Sequence, residues 1–203
     1  TDQYLLEDFE AIKDILDLKD WNIYHPQWAT VEMKKDEASQ NTCMKLSDKD
    51  PFDYAKAFRV FKKSTESVQV ECRIRAGQTQ HGTFEIDLGN TRDLDPVKII
   101  FSSEGRIHVS EWKGLVDLGS YDAGEWISVI LNINVATNRF TVSLNGIESD
   151  PFVFNSRGTE WLDRMTFRTG ARRGISINPV DPIEDLPLLQ EAVFYVDDIR
   201  VSH

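Results

Sequence analysis

Carboxylate side chains are grouped at two places where the surrounding residues predict β-strands. Asp197 and Asp198 are adjacent in the C-terminal run AVFYVDDIRVS, and Glu85 and Asp87 are two residues apart in an earlier run. Alternate residues of a strand point to the same face, so Glu85 and Asp87 are expected side by side, as a pair for acid–base chemistry would be. Two adjacent carboxylates within a strand are unfavourable unless a cation accepts their charge.

Two arginines, Arg73 and Arg75, share one face of the predicted strand VQVECRIRA. Guanidinium groups form forked hydrogen bonds with carboxylates, so the pair would suit an acidic ligand. The glycine-bounded segment that follows predicts a hairpin between this strand and the one that carries Glu85 and Asp87. Ion pairs across that hairpin would explain both arginines without any ligand. Both interpretations are open on the sequence alone.

The elements that would position these groups are strands with a two-residue period. In WISVILNINV, apolar side chains occupy every second position and polar ones lie between them. The same alternation recurs in VQVECRIRA, TFEIDLG, VKIIFS, RIHVSEW, RFTVSLNG, RMTFRTG and AVFYVDDIRVS. Separators rich in Gly, Asn and Asp mark the turns. Many short alternating strands without helices between them predict an all-β protein, an antiparallel two-sheet β-sandwich.

Three stretches depart from this pattern. LEDFEAIKDILDLKDW has apolar residues at helical spacing, so at most one or two short helical turns are expected. The mixed charges of KDEASQNTCMKLSDKDPFDYAK indicate a solvated loop. RTGARRGISINPVDPIEDLPLLQEA has three prolines and no sustained period, which predicts a long loop over one edge of the sandwich.

Length and composition bound the remaining possibilities. Residues 1–203 are expected to form a single domain, which could be a piece of a larger multidomain protein. The net charge of −11 argues against nucleic acid and anionic membranes, which bind clustered Lys and Arg. No apolar run approaches the ~20 residues that span a bilayer. Cys43 and Cys72 could form one disulfide, although Cys72 alternates with apolar residues as a core side chain would.

Several motifs together resemble the concanavalin A-like jelly roll of laminin-G-type lectin domains. In that pattern a tryptophan opens a long strand, a turn follows, and the next strand ends in Asn-Gly. The matching residues here are Trp126, Asn138, Asn145 and Gly146. The two ends of the chain, LLEDFE and FYVDDIRVSH, resemble the first and last strands of calcium-containing carbohydrate-binding modules. The resemblance implies the fold more strongly than the ligand, because lectins, glycoside hydrolases and polysaccharide lyases share this sandwich.

The resemblance also implies a metal site. In the related modules, an acid of the first strand and an acid of the last hold a structural calcium. Carried over to this sequence, the ligands would be Glu10 and Asp197, with Glu7, Asp8 or Asp198 in reserve. A hard cation with roughly six to eight oxygen ligands would remove the repulsion between the carboxylates. The alternative is that Asp197 and Asp198 end a strand and pair with Arg200 or with a neighbouring lysine.

A sugar site needs a flat aromatic side chain for the C–H faces of the ring and polar groups for its hydroxyls. One outer face of a jelly roll often forms such a site. The residues expected to form it are Arg73, Arg75, His108, Trp112 and Tyr121. The same face is expected to carry the other polar side chains of the middle strands, namely Glu71, Glu85, Asp87, Lys98 and Arg106.

Catalytic motifs are incomplete. A glycanase of this fold would carry an E-x-D-x-E strand, whereas here Glu85 and Asp87 are followed by Gly89 in the third position. Arg, Gln, His and Tyr side chains could be assembled into a lyase set, but the strand motifs of those lyases are absent. Whether the protein is an enzyme is therefore open, and the sequence favours the negative answer.

The sequence thus favours a non-catalytic, lectin-like accessory domain of an extracellular or periplasmic polysaccharide-degrading enzyme. Its expected partners are a polysaccharide or oligosaccharide and an adjoining catalytic domain, and its expected cofactor is structural Ca²⁺. Its mechanism would be to tether the enzyme to its polymer. The alternatives are a jelly-roll polysaccharide lyase or glycoside hydrolase acting on an acidic glycan, and a ligand-free scaffold between domains.

Overall fold

The computed structural model describes residues 3–170 and 188–203, which form two antiparallel sheets. The strands of the described residues are, in chain order, β1 (Gln3–Glu7), β2 (Trp21–Tyr24), β3 (Ala29–Lys35), β4 (Thr42–Asp48), β5 (Lys56–Ser64), β6 (Ser67–Ala76), β7 (Phe84–Gly89), β8 (Val97–Phe101), β9 (Arg106–Glu111), β10 (Gly114–Ser120), β11 (Trp126–Asn134), β12 (Arg139–Leu144), β13 (Ile147–Glu148), β14 (Phe152–Val153), β15 (Leu162–Thr169) and β16 (Ala192–Ser202). A 3₁₀ turn at Ile15–Asp17 is the only helical element in these ranges, and it is too short to cross a bilayer.

The strands are shared between a nine-stranded and a seven-stranded sheet. The first has the order β13-β12-β11-β6-β16-β4-β3, with β1 paired to β16 and β14 paired to β12. The second has the order β10-β9-β8-β7-β15-β5-β2. The predicted all-β, two-sheet antiparallel sandwich with little helix is confirmed.

The hydrophobic core lies between the two sheets, because each central strand turns alternate apolar side chains inward. The inner residues of β11, such as Val129 and Leu131, are fully buried. Phe84 of β7 stacks on Phe194 of β16 with ring centroids 4.9 Å apart, which joins the two sheets directly. Cys72 is buried in this core, as predicted, and its thiol is free.

The predicted hairpin between β6 and β7 is wrong. β6 lies between β11 and β16, whereas β7 lies between β8 and β15 in the other sheet. The connecting segment crosses between the sheets and is tied to β16, because the Gly77 N–H donates to the Val193 carbonyl at 2.8 Å and the Val193 N–H donates to Gln78 Oε1 at 2.7 Å. The turn residues mark a reversal, but they do not show which sheet the next strand joins.

The expectation of at most one or two short helical turns in LEDFEAIKDILDLKDW is confirmed by the single 3₁₀ turn. Phe9, earlier in the same stretch, has a left-handed φ of 56°, which a right-handed helix cannot accommodate. Another expectation is wrong. The expected solvated loop contains β4, a mostly buried strand between β3 and β16. Its charge misled the prediction because Lys45 faces outward, 2.8 Å from Glu32. The proline-rich loop expected after β15 lies, for residues 171–187, outside the described residues.

Candidate functional site

The two C-terminal acids lie at a β-bulge where β16 changes its partner. Residues 192–196 pair with β4 and residues 199–202 pair with β1, and the register along β6 shifts between Asp197 and Arg200. Asp198 has a left-handed φ of 49°, a conformation that Asp tolerates better than most residues. Its N–H donates to Asp197 Oδ1 at 2.8 Å. The carboxylates therefore mark an irregularity within the strand.

The cation that accepts their charge comes from β6. Arg73 Nη2 is 3.1 Å from Asp197 Oδ2, and Arg73 Nε is 2.6 Å from Asp198 Oδ2. Asp197 is only 1% exposed. This burial raises the pKa of its carboxyl to about 6, even though Arg73 acts in the opposite direction. Among the described residues the partner is thus Arg73, and neither Arg200 nor a lysine as the sequence suggested.

The calcium site implied by the resemblance has only part of its expected geometry. The first and last strands are adjacent, since β1 pairs with β16. Glu10 Oε1, however, accepts the Thr42 N–H at 2.9 Å, and both Asp197 oxygens already accept hydrogen bonds. Within residues 3–170 and 188–203, no three His, Cys, Asp or Glu side chains converge as metal ligands. These side chains fit a calcium ion poorly, so calcium binding by Glu10 and Asp197 stays a prediction.

Arg73 and Arg75 lie on the outer face of the nine-stranded sheet, where both are paired within the domain. Arg75 Nη1 is 2.6 Å from Asp36 Oδ1. Its guanidinium carbon is 5.1 Å from the ring centroid of Trp126 and 4.3 Å from that of Tyr195. Since carboxylates already pair with both guanidinium groups, this row stabilises the sheet face and offers little for a sugar.

Glu85 and Asp87 lie on the opposite outer face, that of the seven-stranded sheet. The expected ion pairs between them and the two arginines of β6 are therefore wrong. Lys98 Nζ is 3.6 Å from Glu85 Oε2 and 3.5 Å from Asp87 Oδ1. Glu85 is 6% and Asp87 is 1% exposed. Carboxylates buried this deeply do not favour a catalytic pair that must reach a polymer.

Tyr121 is a core residue and not a surface aromatic. It is 4% exposed, and its ring lies 5.2 Å from that of Phe101, centroid to centroid. Its hydroxyl donates to the Ser102 carbonyl at 2.7 Å, and burial raises its pKa to about 12. The expectation that Tyr121 stacks on a sugar is therefore wrong, because its ring fills the space between the sheets.

The structure does not bring the five expected sugar-site residues to one surface. Arg73 and Arg75 belong to one sheet, and Tyr121 belongs to the core. His108 and Trp112 share the hairpin of β9 and β10 in the other sheet, with His108 on its outer face and Trp112 in its turn. Trp112 is 49% exposed, so it alone among the predicted aromatics presents a ring to solvent.

An open cleft of about 290 Å³ lies beside Trp112. It is bounded by the β9–β10 turn of one sheet, and by the β11–β12 turn and the segment after β14 of the other. The residues that line it are Trp112, Asn138, Val153, Phe154, Ser156, Arg157 and Gly158. We call this feature the Trp112 cleft.

The Trp112 cleft borders the hydrophobic core at Phe154, which belongs to both. Phe154 is 1% exposed, and its N–H donates to the Asn138 carbonyl at 3.0 Å. Asn138 adopts a left-handed φ of 55°, and its Nδ2 donates to the Val135 carbonyl at 3.1 Å. Gly158 has a φ of 79°, which glycine adopts without strain. Hydrogen bonds therefore tie the segment that carries Ser156 and Arg157 to the β11–β12 turn that carries Asn138.

Two groups in the Trp112 cleft were missed by sequence reasoning. The guanidinium carbon of Arg157 lies 4.3 Å from the ring centroid of Trp112. Ser156 Oγ is buried and has no hydrogen-bond partner among the described residues. Both residues follow a two-residue strand in an irregular segment, so no periodic pattern or motif identifies them.

A larger cavity of about 330 Å³ lies at the loop ends near β4, but its acids are used by the fold. Asp48 Oδ1 accepts the Asp50 N–H at 2.8 Å. Asp50 Oδ1 accepts the N–H groups of Phe52 and Asp53 at 2.8 and 2.9 Å. Burial raises the pKa of Asp48 to about 6. These carboxylates build the β4–β5 loop, which leaves the Trp112 cleft as the better candidate for a ligand.

Comparison with known proteins places the chain in a family. Residues 21–181, most of its length, match the family described as "Sialidase-like, CBM domain". A solved structure titled "Sialidase" superimposes with a TM-score of 0.87 at 26% identity. The match covers 98% of this chain and 18% of that one, so this chain spans less than a fifth of that sialidase.

Two enzymes of known structure share the fold at lower identity. The endo-β-1,4-glucuronan lyase of the fungus Trichoderma reesei gives a TM-score of 0.65 at 13% identity, covering 99% of this chain and 95% of the lyase. The Bacillus licheniformis β-glucanase gives a TM-score of 0.62 at 13% identity, and the match covers 100% of this chain and 99% of the glucanase. Comparison with curated proteins found no match. The jelly-roll prediction is confirmed, and the chain belongs to the family of sialidase-like carbohydrate-binding-module domains.

Proposed function

We propose that this chain is a non-catalytic carbohydrate-binding domain that holds a glycan-degrading enzyme, extracellular or periplasmic, on its substrate. The observation that carries the proposal is the Trp112 cleft, in which a half-exposed indole borders an open space lined by polar groups. Exposed aromatic rings with adjacent hydrogen-bonding groups are what a sugar ring needs for recognition. Family membership supports the same function.

The proposed mechanism is an increase in effective concentration. A single shallow site of this size binds a sugar weakly, but a weak site linked to a catalytic domain keeps that domain close to the polymer. The chain corresponds to less than a fifth of the matched sialidase, which is compatible with a larger parent protein. The adjoining catalytic domain is part of the proposal.

A second candidate is catalysis by the chain itself on the face of the seven-stranded sheet. It is favoured by one observation, the same-face carboxylates of Glu85 and Asp87 beside Lys98. Their deep burial counts against it. A glycanase would release reducing ends from glucan and a lyase would form unsaturated uronate, and a Glu85→Gln variant would abolish either product.

Binding and catalysis are separated by one pair of measurements on the purified chain. A glycan array that includes sialylated, uronate-containing and neutral glycans should show retention of at least one class, and the product assays should stay blank. Retention without products supports the tethering domain. Formation of products would show that the chain is an enzyme instead. The absence of both retention and products would favour the ligand-free scaffold.

A further inference from the structure

We infer that the Trp112 cleft binds a sugar that carries a carboxylate, with Arg157 as the group that pairs with it. The inference rests on the proposed function, since it names the chemical class of glycan that this cleft would take. It depends on three side chains whose capacity for contacts is not used up by the fold. These are Trp112, Ser156 and Arg157.

Arg157 supplies a positive charge at the cleft. It is exposed, and no ion pair among the described residues includes it. The domain has a net charge of −11, so most of its surface repels an anionic sugar. A guanidinium at a cleft, without an ion pair among residues 3–170 and 188–203, is therefore a place where a carboxylate is attracted.

Stacking on Trp112 prepares this guanidinium for a carboxylate. Its carbon is 4.3 Å from the indole centroid, within the range of a cation–π contact. All five N–H donors of a guanidinium lie in its own plane, so contact through its face leaves the donors available at its edges. A forked pair of hydrogen bonds to a carboxylate uses such an edge. Arg73 and Arg75 differ, because carboxylates already occupy them.

The remaining polar groups fit the hydroxyls of a sugar ring. A buried hydroxyl without a partner is unfavourable, and a ligand that hydrogen-bonds to Ser156 Oγ would remove that penalty. Asn138 uses its Nδ2 to hold the Val135 carbonyl, and its Oδ1 can accept from a hydroxyl. An indole, a cation, a hydroxyl and an amide oxygen together match an acidic pyranose better than a neutral one.

The inference is tested by following the indole Nε1–H resonance of Trp112 in ¹H–¹⁵N spectra. The resonance is assigned with a Trp112→Phe variant. The titrants are sodium glucuronate and sodium N-acetylneuraminate, with glucose, N-acetylglucosamine and sodium acetate as controls. We expect at least one acidic sugar to shift this resonance saturably. In Arg157→Gln the affinity for that sugar should fall about tenfold or more, since the charge-assisted hydrogen bonds to its carboxylate are lost.

Each outcome is decisive. A shift by glucuronate or by N-acetylneuraminate that depends on Arg157 supports the inference and shows which acid is taken. Equal shifts by glucose and the acidic sugars, equal affinities of Arg157→Gln and wild type, or equal shifts by acetate would overturn it. If the glycan array retains only neutral glycans, this inference fails and the proposed function stands. If it retains none, the proposed function fails as well.

Discussion

Arg73 of β6 pairs with Asp197 of β16, Nη2 to Oδ2, at 3.1 Å, at the point where β16 exchanges β4 for β1 as its partner. The bulge at Asp197 and Asp198 allows the long strand β16 to pair first with β4 and then with β1 along the same edge. Its cost is a buried carboxylate, which Arg73 offsets. The relationship explains why two acids occur within an otherwise apolar strand.

The Arg73–Asp197 pair predicts a specific pattern of stabilities. Arg73→Gln leaves Asp197 buried without its cation and should lower the free energy of unfolding by about 1–3 kcal/mol. Asp197→Asn should cost less, because it removes the buried charge. The double variant should lose less than the sum of the two. Urea unfolding at pH 7 measures all three, and strictly additive losses would show that the pair is not coupled.

Stability should fall as the pH rises from about 4 to 6. Burial raises the pKa of both Asp48 and Asp197 from the ordinary 3.8 to about 6. Between these values the folded state keeps a proton that the unfolded state has released, so a higher pH favours unfolding. Each group contributes at most about 3 kcal/mol to this loss. In Asp197→Asn the loss between pH 4 and 6 should be smaller, and an unchanged pH profile would contradict the raised pKa.

The core between the sheets should depend strongly on Phe84. Its ring stacks on Phe194 at 4.9 Å and on Phe167 at 6.1 Å, and it is fully buried. Phe84→Ala should therefore cost about 3–5 kcal/mol, as large cavities in cores do. Leu115→Ala is the matched control, because Leu115 is 63% exposed and should change stability by less than about 0.5 kcal/mol. Equal effects in urea unfolding would contradict the core described here.

The calcium prediction is tested by melting temperature. If Glu10 and Asp197 contribute to a structural site, chelator should lower the melting temperature and calcium should restore it. Glu10→Gln should then abolish the response to calcium. Since the described side chains fit the ion poorly, an unchanged curve would remove Glu10 and Asp197 as ligands. Arg73 would then be the cation that compensates the C-terminal acids within the part of the chain that the structure describes.

The strands were predictable because their side chains alternate. The order of the strands within the two sheets was not predictable. The alternation of β11 correctly gives Val129 and Leu131 as core residues. It gives no information on whether β6 pairs with β7, because a hairpin turn and a crossover between sheets use the same Gly-rich residues. That uncertainty placed Arg75 and Glu85 on one face, when they lie on opposite sides of the sandwich.

The candidate site was only partly predictable for a related reason. Trp112 and Tyr121 were both predicted because a sugar site needs a flat aromatic side chain, but only Trp112 lies in a turn and is exposed, whereas Tyr121 is buried. Arg157 and Ser156 reach the cleft through the path of an irregular segment that no periodicity describes. Their role depends on contacts between distant parts of the chain, which a single sequence does not reveal.

The most direct test of the account compares two tryptophans in a binding measurement. Trp112→Ala should abolish retention on the glycan that the array identifies, as measured by affinity electrophoresis. Trp28→Ala is the matched control, because Trp28 is 38% exposed and has Lys49 Nζ 5.3 Å from its ring centroid, but it lines neither the Trp112 cleft nor the larger cavity. Loss of retention in the first variant alone is the predicted result. Retention that survives Trp112→Ala, with both variants folded, would contradict the assignment of the glycan site to this cleft.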